Sequence, residues 1–172
     1  DTYDHDDLGV VCTLQEAIAQ QACKPYAAYF RQFYYELSFR EDLRTVTAPT
    51  NKYTLYFPKQ DSLAQFQQHY GPTYSEQFSV AVSGTYWIDI MEKNVNKGQA
   101  ISRLGKTLGI TPAEMMAFGD NYNDLEMLQV VGHPVAMMNA VPELKTGAEL
   151  IAPSNNDYGV SQVIQQYLTQ QL

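Results

Sequence analysis

The stretch Gly119-Asp120-Asn121-Tyr122-Asn123-Asp124 decides how the rest of this sequence is interpreted. It follows the apolar run 115–118 and precedes an apolar, helix-like stretch at 125–130. An apolar strand that stops at a glycine and then presents two carboxylates four residues apart is poorly explained by folding needs alone. Two acids close in space repel each other unless a cation or a proton lies between them. Carboxylate and amide oxygens at the end of a strand therefore point to a hard ion such as Mg²⁺.

This stretch has two other interpretations. Asp and Asn are common in turns because their side chains hydrogen-bond to nearby backbone, so an ordinary turn that caps the following helix is one alternative. An EF-hand calcium loop is the other. It is excluded because its third position is Tyr122 and its twelfth, counted from Asp120, is Val131.

Composition limits the class of protein. The chain has 172 residues, enough for one full domain or for a partial domain with a smaller one, and 45% of them are hydrophobic. The formal charge of −8, without a Lys/Arg cluster, argues against nucleic-acid binding. No apolar run approaches the roughly 20 residues of a membrane span, and the first residues do not resemble a signal peptide. We therefore expect a cytoplasmic protein without nucleic-acid or membrane partners.

The first part of the chain, residues 1–94, is predicted to be an α+β unit. Thr13-Leu14-Gln15-Glu16 has the form of a capping box and predicts a helix through about Cys23. Such a helix would place Cys12 and Cys23, two thiols too few and wrongly spaced for a zinc or redox site, on one face. The segment 25–37 predicts a second, amphipathic helix. We interpret its tyrosines as packing residues, with a substrate pocket as the alternative; they are Tyr26, Tyr29, Tyr34 and Tyr35.

The remainder of this part predicts an antiparallel sheet. Alternation at 52–57 indicates a strand that Pro58 stops. Residues 61–70 read as a short helix ended by Gly71-Pro72. Residues 78–91, with Ser83-Gly84 inside, have the pattern of a β-hairpin.

From Asn96 onward, strands and helices alternate. Asn96 is predicted to cap a helix that Gly109 ends, with Ala100, Ile101, Leu104 and Leu108 on one apolar face. Thr111-Pro112-Ala113-Glu114 is a second capping box. Strands at 115–118, 134–137 and 149–152 then alternate with helices at 125–130, from 142 and from 159. This order predicts parallel strands, and ligands of such sheets bind beyond the carboxyl ends, where Asp120 lies. His133 is interpreted as a loop histidine.

Residues 96–160 resemble the C-terminal part of the haloacid dehalogenase (HAD) superfamily, in its Cof-type, sugar-phosphatase-like branch. The matching stretches are Asn96-Lys97-Gly98, residues 117–124 with Met127-Leu128, Val135-Ala136-Met137 with Asn139-Ala140, and Tyr158-Gly159-Val160. Residues 50–95 resemble the second half of that branch's cap, and residues 1–48 resemble the family only loosely. The expected fold class is α/β: the C-terminal half of a HAD-type, Rossmann-like parallel core at 95–172, plus part of an α+β cap with antiparallel strands at 1–94.

The resemblance implies Mg²⁺-dependent hydrolysis of phosphate monoesters, on a small phosphorylated metabolite, through an aspartyl-phosphate. It implies that Asp120 is a catalytic Mg²⁺ ligand and that Asp124 binds or orients the metal's shell. Lys97 would be catalytic and substrate-binding, pairing with the phosphoryl group, and Asn123 would hydrogen-bond the phosphate. The alternative for Lys97 is a solvated lysine at a helix start, a position that the helix dipole disfavours for a cation.

The sequence departs from this family at its beginning. Family members start with a strand ending in Asp-x-Asp-Gly-Thr, whereas the only Asp-x-Asp here is Asp4-His5-Asp6, interpreted as a solvated acidic terminus. We therefore expect a C-terminal piece that is inactive alone and that either self-associates through the open edge of its core sheet or leaves that half loosened. A non-catalytic phosphate- or partner-binding protein and a phosphomutase-type relative are the alternatives.

Overall fold

The computed structural model describes residues 7–169 fully and Gln170 by its backbone. The chain divides into two compact units, Asp1–Asn94 and Val95–Leu172. The first is built on a six-stranded sheet and the second on a three-stranded parallel sheet. The predicted α/β class, with antiparallel strands in the first part and parallel strands in the second, is confirmed.

The first unit contains six strands and three short helices. They are β1 (Leu8–Thr13), β2 (Ala17–Gln20), α1 (Ala27–Phe30), β3 (Leu37–Arg40), β4 (Thr50–Tyr56), α2 (Ser62–Gln65), α3 (Gly71–Tyr74), β5 (Phe78–Gly84) and β6 (Trp87–Glu92). The strand order is β3-β2-β1-β4-β6-β5, and the pairs are antiparallel except for β2 with β3. The predicted strand at 52–57 and the predicted hairpin at 78–91 are both present.

The helix predicted from Thr13 to Cys23 is wrong, because this stretch forms a β-hairpin. The Thr13 hydroxyl accepts hydrogen bonds from the amides of Gln15 and Glu16, at 3.2 and 3.1 Å. The Thr13 amide in turn donates to the Glu16 carbonyl at 2.9 Å. Side-chain bonds of this kind serve a tight turn as well as a helix start. Cys12 in β1 and Cys23 in a 3₁₀ turn are therefore not on one helix face, although both are buried.

The helix predicted at 25–37 is also largely absent. Gln21–Tyr26 is a 3₁₀ turn, α1 has only four residues, and Leu37 already belongs to a strand. The aromatic side chains pack as predicted, since Tyr26, Tyr29 and Tyr34 surround the buried cluster that contains Phe30, Tyr56 and Trp87. Tyr35 is the exception and is 96% exposed.

The helical stretch that begins after Asp61 continues beyond its predicted end. Asp61 accepts hydrogen bonds from the amides of Leu63 and Ala64, at 2.9 and 3.1 Å, and so caps α2 as expected. A π-helical turn, Phe66–Tyr70, then leads into α3. Pro72 lies in the first turn of α3, where an amide N–H has no partner to lose, so Gly71-Pro72 does not end the helix.

The second unit alternates strands and helices as predicted. Its elements are α4 (Lys97–Leu108), β7 (Met116–Gly119), α5 (Leu125–Val130), β8 (His133–Met137), α6 (Pro142–Gly147), β9 (Leu150–Ala152) and α7 (Gly159–Gln170). The three strands are parallel in the order β7-β8-β9. Gly109 ends α4 with a φ of 70°, a left-handed conformation that favours glycine. His133 belongs to β8, not to a loop as predicted.

The buried face of α4 matches the predicted one only in part, since Ile101 packs against the core of the second unit. Its closely packed positions are Gly98 and Gly105, whereas Leu104 and Leu108 are 53% and 60% exposed. A Cβ on Gly98 would lie 2.4 Å from the Glu126 carbonyl oxygen, so α4 and α5 approach at backbone distance. Apolar periodicity pointed to the leucines, but the close approach selects the glycines. Within residues 7–170, no helix combines the length and apolar character that crossing a membrane requires.

Candidate active site at the carboxyl end of the parallel sheet

The loop that leaves β7 is organised by the carboxylate of Asp124. This side chain is buried, with the whole residue only 4% exposed. Its Oδ2 accepts hydrogen bonds from the backbone amides of Asp120 and Asn121, at 3.0 and 3.3 Å. Asn121 accepts from the Tyr122 amide at 2.8 Å, so the loop also caps the helix that follows. The capping alternative considered above is thus correct for these bonds.

Lys97 adds a contact that capping does not explain. Its ammonium group forms an ion pair with Asp124 Oδ1, which is the carboxylate oxygen that the loop amides leave open. Lys97 is the first residue of α4, and Asn96 caps that helix by accepting from the Gln99 amide at 2.8 Å. The lysine side chain is about half exposed, at 49%, whereas that of Asp124 is 6% exposed. The cation therefore lies between a buried acid and solvent.

Two glycines allow this approach. A Cβ on Gly119, the last residue of β7, would lie 2.8 Å from Cβ of Asp124. Gly98, next to Lys97, packs on the backbone of α5 as described above. A side chain at position 98 would push α4 away from α5, and one at position 119 would displace the loop that carries Asp124.

Asp120 occupies a different environment from Asp124. It is exposed at the carboxyl end of β7. Its Oδ2 receives a long hydrogen bond of 3.4 Å from the Asn139 amide group, in the loop after β8. Its carbonyl oxygen accepts from the Val141 amide at 3.0 Å. The loop after β8 thus holds the backbone of Asp120 and approaches one of its carboxylate oxygens.

Asn123 lies in the same loop but outside the bonded cluster. It is half-buried in the 3₁₀ turn Tyr122–Asp124. The neighbouring Tyr122 hydroxyl reaches Glu143 of α6 at 3.4 Å. Of the four predicted site residues, Lys97 forms an ion pair with Asp124, and the backbone amide of Asp120 donates a hydrogen bond to Asp124. Asn123 precedes Asp124 in the same 3₁₀ turn.

Asn139, Val141 and Glu143 are contacts of the site that sequence reasoning did not assign. Asn139 follows the end of β8, the strand next to β7, and polar residues at adjacent strand ends meet at one edge of a parallel sheet. That position was the signal available for Asn139. Val141 contributes only its backbone amide, which donates to the Asp120 carbonyl, and no side-chain pattern could have indicated this contact.

The donors at this edge fit a hard cation only in part. Among residues 7–169, no group of three or more His, Cys, Asp or Glu side chains could enclose a metal ion. Both oxygens of Asp124 are engaged, whereas Asp120 is exposed to solvent. Mg²⁺ commonly uses one or two protein carboxylates and keeps several waters or phosphate oxygens. The arrangement therefore suits Mg²⁺ with Asp120 as its direct ligand and Asp124 as the residue that fixes the loop.

Comparison with known proteins identifies the family of this chain. The model of haloacid dehalogenase-like hydrolases matches residues 9–164, which is most of the chain. The chain belongs to the haloacid dehalogenase-like hydrolase family. The match includes most of each unit, so the family model extends over both the antiparallel sheet and the parallel sheet.

Relatives of this HAD chain are named as phosphatases. A Streptococcus pyogenes serotype M6 protein, named provisionally as a phosphatase, is 40% identical over 107 residues, which cover 62% of this chain and 38% of the relative. The HMP-PP phosphatase of Serratia proteamaculans is 33% identical over 120 residues, covering 70% of this chain and 43% of the relative. The chain therefore spans about two fifths of the length of these relatives.

Solved HAD structures share the fold over nearly the whole chain. A Streptococcus mutans UA159 protein superimposes with a TM-score of 0.84 and 28% identity, covering 95% of this chain and 62% of that one. A structure described as a HAD subclass IIB sugar phosphatase superimposes with a TM-score of 0.79 over 94% of this chain. Its identity is 17%, so this second likeness concerns the fold alone.

Proposed function

We propose that the chain supplies the metal- and phosphate-binding half of a Mg²⁺-dependent phosphate monoester hydrolase. The observation that carries the proposal is the ion pair of Lys97 with the buried Asp124, formed beside an exposed Asp120 at the carboxyl end of a parallel strand. Family membership and relatives named as phosphatases support the same reaction class.

Each residue has a distinct task in this proposal. Asp120 would hold the metal, which supplies charge neutralisation on phosphate oxygens when bound. Asp124 binds the loop amides and Lys97, so it acts as a positioning residue. The half-exposed ammonium of Lys97 can donate to a phosphate oxygen while one of its hydrogens remains on Asp124. Asn123 is the proposed amide donor to the phosphate.

The remaining finer points are proposals of the same kind. We propose, as the family resemblance implies, that phosphoryl transfer passes through an aspartyl-phosphate. Asp4-His5-Asp6, the only Asp-x-Asp of the sequence, lies outside the described residues. We propose that this chain alone does not turn over substrate. We also propose that the full-length form acts in the cytoplasm on small phosphorylated metabolites. Relatives include phosphatases named for HMP-PP and for 5-amino-6-(5-phospho-D-ribitylamino)uracil, which agrees with a substrate of that size.

Binding can be tested without turnover. Titrating ¹⁵N-labelled protein with MgCl₂, and then with inorganic phosphate, should shift the amides of residues 119–124. Asp120→Asn should weaken Mg²⁺ binding at least about tenfold, because it removes the one exposed carboxylate of the cluster. Asp157→Asn, at an exposed acid of the same unit, is the matched control. Mg²⁺ shifts that persist unchanged in Asp120→Asn would overturn the assignment, and phosphate binding without Mg²⁺ would favour a non-catalytic phosphate-binding protein.

We also propose that the chain self-associates through β7. In the part of the chain that the structure describes, β8 is the only strand paired with β7. On α7, Ile164 and Leu168 are 43% and 60% exposed. Unpaired edges and exposed apolar side chains favour association. Light scattering should show a dimer, and a monomer at high concentration would contradict this proposal.

A further inference from the structure

The first unit contains a cavity that the phosphate chemistry does not use. Its volume is about 600 Å³, and it is lined by parts of β4 and β6, the start of β5 and the helical stretch that ends in α3. Ligand pockets in proteins typically measure about 300–1,000 Å³ and combine apolar walls with a few polar groups. We refer to this space, lined by Tyr53, Tyr70, Tyr74, Phe78, Asp7 and Glu92 among others, as the tyrosine cavity.

Aromatic rings form its walls. Tyr70 and Tyr74 stack with ring centroids 6.1 Å apart and an interplanar angle of 26°. Tyr74 and Phe78 are each 40% exposed, so ring surface remains open to solvent beside the cavity. Rings that face water around a concave space are more suited to receiving a ligand than to packing a core.

Apart from Lys52, the charged groups that line the tyrosine cavity are the carboxylates of Asp7 and Glu92. The Tyr70 hydroxyl donates to Asp7 Oδ2 at 2.5 Å. Burial raises the pKa of Tyr70, and the hydrogen bond to Asp7 raises it further, so the phenol is neutral at pH 7. Burial also raises the pKa of Tyr53, and the negative charge of Asp7 raises it further. Glu92, at the end of β6, adds a second, exposed carboxylate.

Lys52 is the one lysine among the lining residues, and its charge is already paired with a carboxylate outside the lining. The Lys52 ammonium group binds Asp89 Oδ2 at 2.9 Å, and Asp89 is buried. A phosphate in the cavity would therefore face two carboxylates with a cation already engaged, which is unfavourable. A positively charged group over tyrosine rings is instead attracted by the ring faces and by the carboxylates.

We propose that the tyrosine cavity binds a planar ring that carries a cationic nitrogen group, such as an amidine or a protonated aminopyrimidine. The ring stacks on the tyrosines, and the nitrogen group donates a hydrogen bond to the exposed carboxylate of Glu92. The site is formed by residues of the first unit alone. It therefore stands or falls independently of the proposed phosphate site around Lys97.

Three isosteric probes test the proposal: benzamidine, which is cationic and planar, benzamide, which is neutral, and benzoate, which is anionic. Spectra of protein with ¹³C-labelled tyrosine rings should show shifts of Tyr53, Tyr70 and Tyr74 with benzamidine. Benzamide should bind about tenfold more weakly, because a cation–π contact and its carboxylate partners are worth on the order of 1–2 kcal/mol. Benzoate should cause no shift. Equal binding of the three probes, or tightest binding of benzoate, would overturn the proposal.

Two variants separate charge from stacking. Glu92→Gln should lower the affinity for benzamidine about threefold to tenfold and leave benzamide unchanged. Tyr74→Leu should weaken both probes. Glu76→Gln, at an exposed acid that does not line the cavity, is the control and should change neither. If the tyrosine resonances move with protein concentration and not with benzamidine, a second copy of the chain fills the cavity, and the proposal is wrong.

Discussion

The two units each contain a lysine–aspartate pair, and the two pairs are built differently. In the first unit, Lys52 binds Asp89, which also accepts from the Thr54 hydroxyl at 2.7 Å. These three residues lie on the adjacent strands β4 and β6. In the second unit, Lys97 binds Asp124, whose other oxygen accepts from two loop amides. Both acids are buried, at 7% and 4% exposure.

The difference lies in what each acid holds. Asp89 is supported by side chains of a sheet that backbone hydrogen bonds already fix, so it adds to an order that exists without it. Asp124 holds the amides of a loop that has no ladder of its own, together with a lysine from another element. A buried acid that organises loop amides and a half-exposed cation is the arrangement expected of a site prepared for an anion.

Asp124→Asn should lower the free energy of unfolding more than any other change to the two pairs. Backbone N–H groups and the Lys97 ammonium group can donate hydrogen bonds but cannot accept them. An Asn side chain must therefore direct its own NH₂ group against one of these donors. We expect a loss of about 3 kcal/mol of unfolding free energy, typical of breaking a buried charged pair. Urea unfolding measures the loss. A change below about 1 kcal/mol would show that solvent replaces these contacts easily.

Removing the lysines should rank the two acids. Lys52→Met leaves Asp89 with one hydroxyl donor, whereas Lys97→Met leaves Asp124 with two amide donors. We expect losses of about 2 kcal/mol for Lys52→Met and about 1 kcal/mol for Lys97→Met, because the less-bonded buried charge is the more costly one. Urea unfolding of both variants gives the order, and the reverse order would contradict this account of the two sites.

Asp89→Asn should be better tolerated than Asp124→Asn. The Thr54 hydroxyl can accept a hydrogen bond as well as donate one, so it can pair with an Asn amide group. Lys52, about one-third exposed at 33%, can then turn to water. We expect a loss of about 1 kcal/mol. Equal losses for Asp89→Asn and Asp124→Asn would show that donor polarity does not separate the two pairs.

Asp120→Asn should leave stability almost unchanged. The side chain is exposed and accepts a long hydrogen bond from Asn139, so a change within about 0.5 kcal/mol is expected. Thermal unfolding measures this, alongside the Mg²⁺ titration described above. A large loss of stability would indicate a structural role for Asp120 in place of the proposed metal ligation.

The smallest effect concerns reactivity near the first pair. Burial raises the pKa of the Cys12 thiol, and burial raises that of Cys23 to about 11. At pH 8 both therefore stay protonated and unreactive in the folded protein, since alkylation needs the thiolate. Mass spectrometry should find neither labelled by iodoacetamide until urea is added. Rapid labelling of Cys12 in buffer would mean that the sheet around Lys52 and Asp89 opens readily.

Sequence reasoning succeeded where local signals and tertiary structure agree. In the second unit each element has its own marker, such as Asn96 at the start of α4 and Gly109 at its end, and the alternation then fixes a parallel sheet. In the first unit Thr13 carries a signal shared by helix starts and tight turns, and long-range pairing of β1 with β4 decided between them.

The same limit applies to the site. Lys97, Asp120 and Asp124 lie at a helix start and a strand end, positions that a pattern can indicate. The division of labour between the two acids depends on loop conformation, since it follows from which amides point at Asp124 Oδ2. Their catalytic roles stay predictions until Mg²⁺ and phosphate binding are measured.

The glycine at position 98 has a consequence for how this protein can diverge. Because the nearest contacts beneath it are the carbonyl atoms of Glu126, which every residue type shares, replacing the Glu126 side chain leaves these contacts in place. Surface residues around the site are thus free to vary while the lysine stays in register with its acid. A homologue without this glycine would need its lysine at a different position to reach the buried acid.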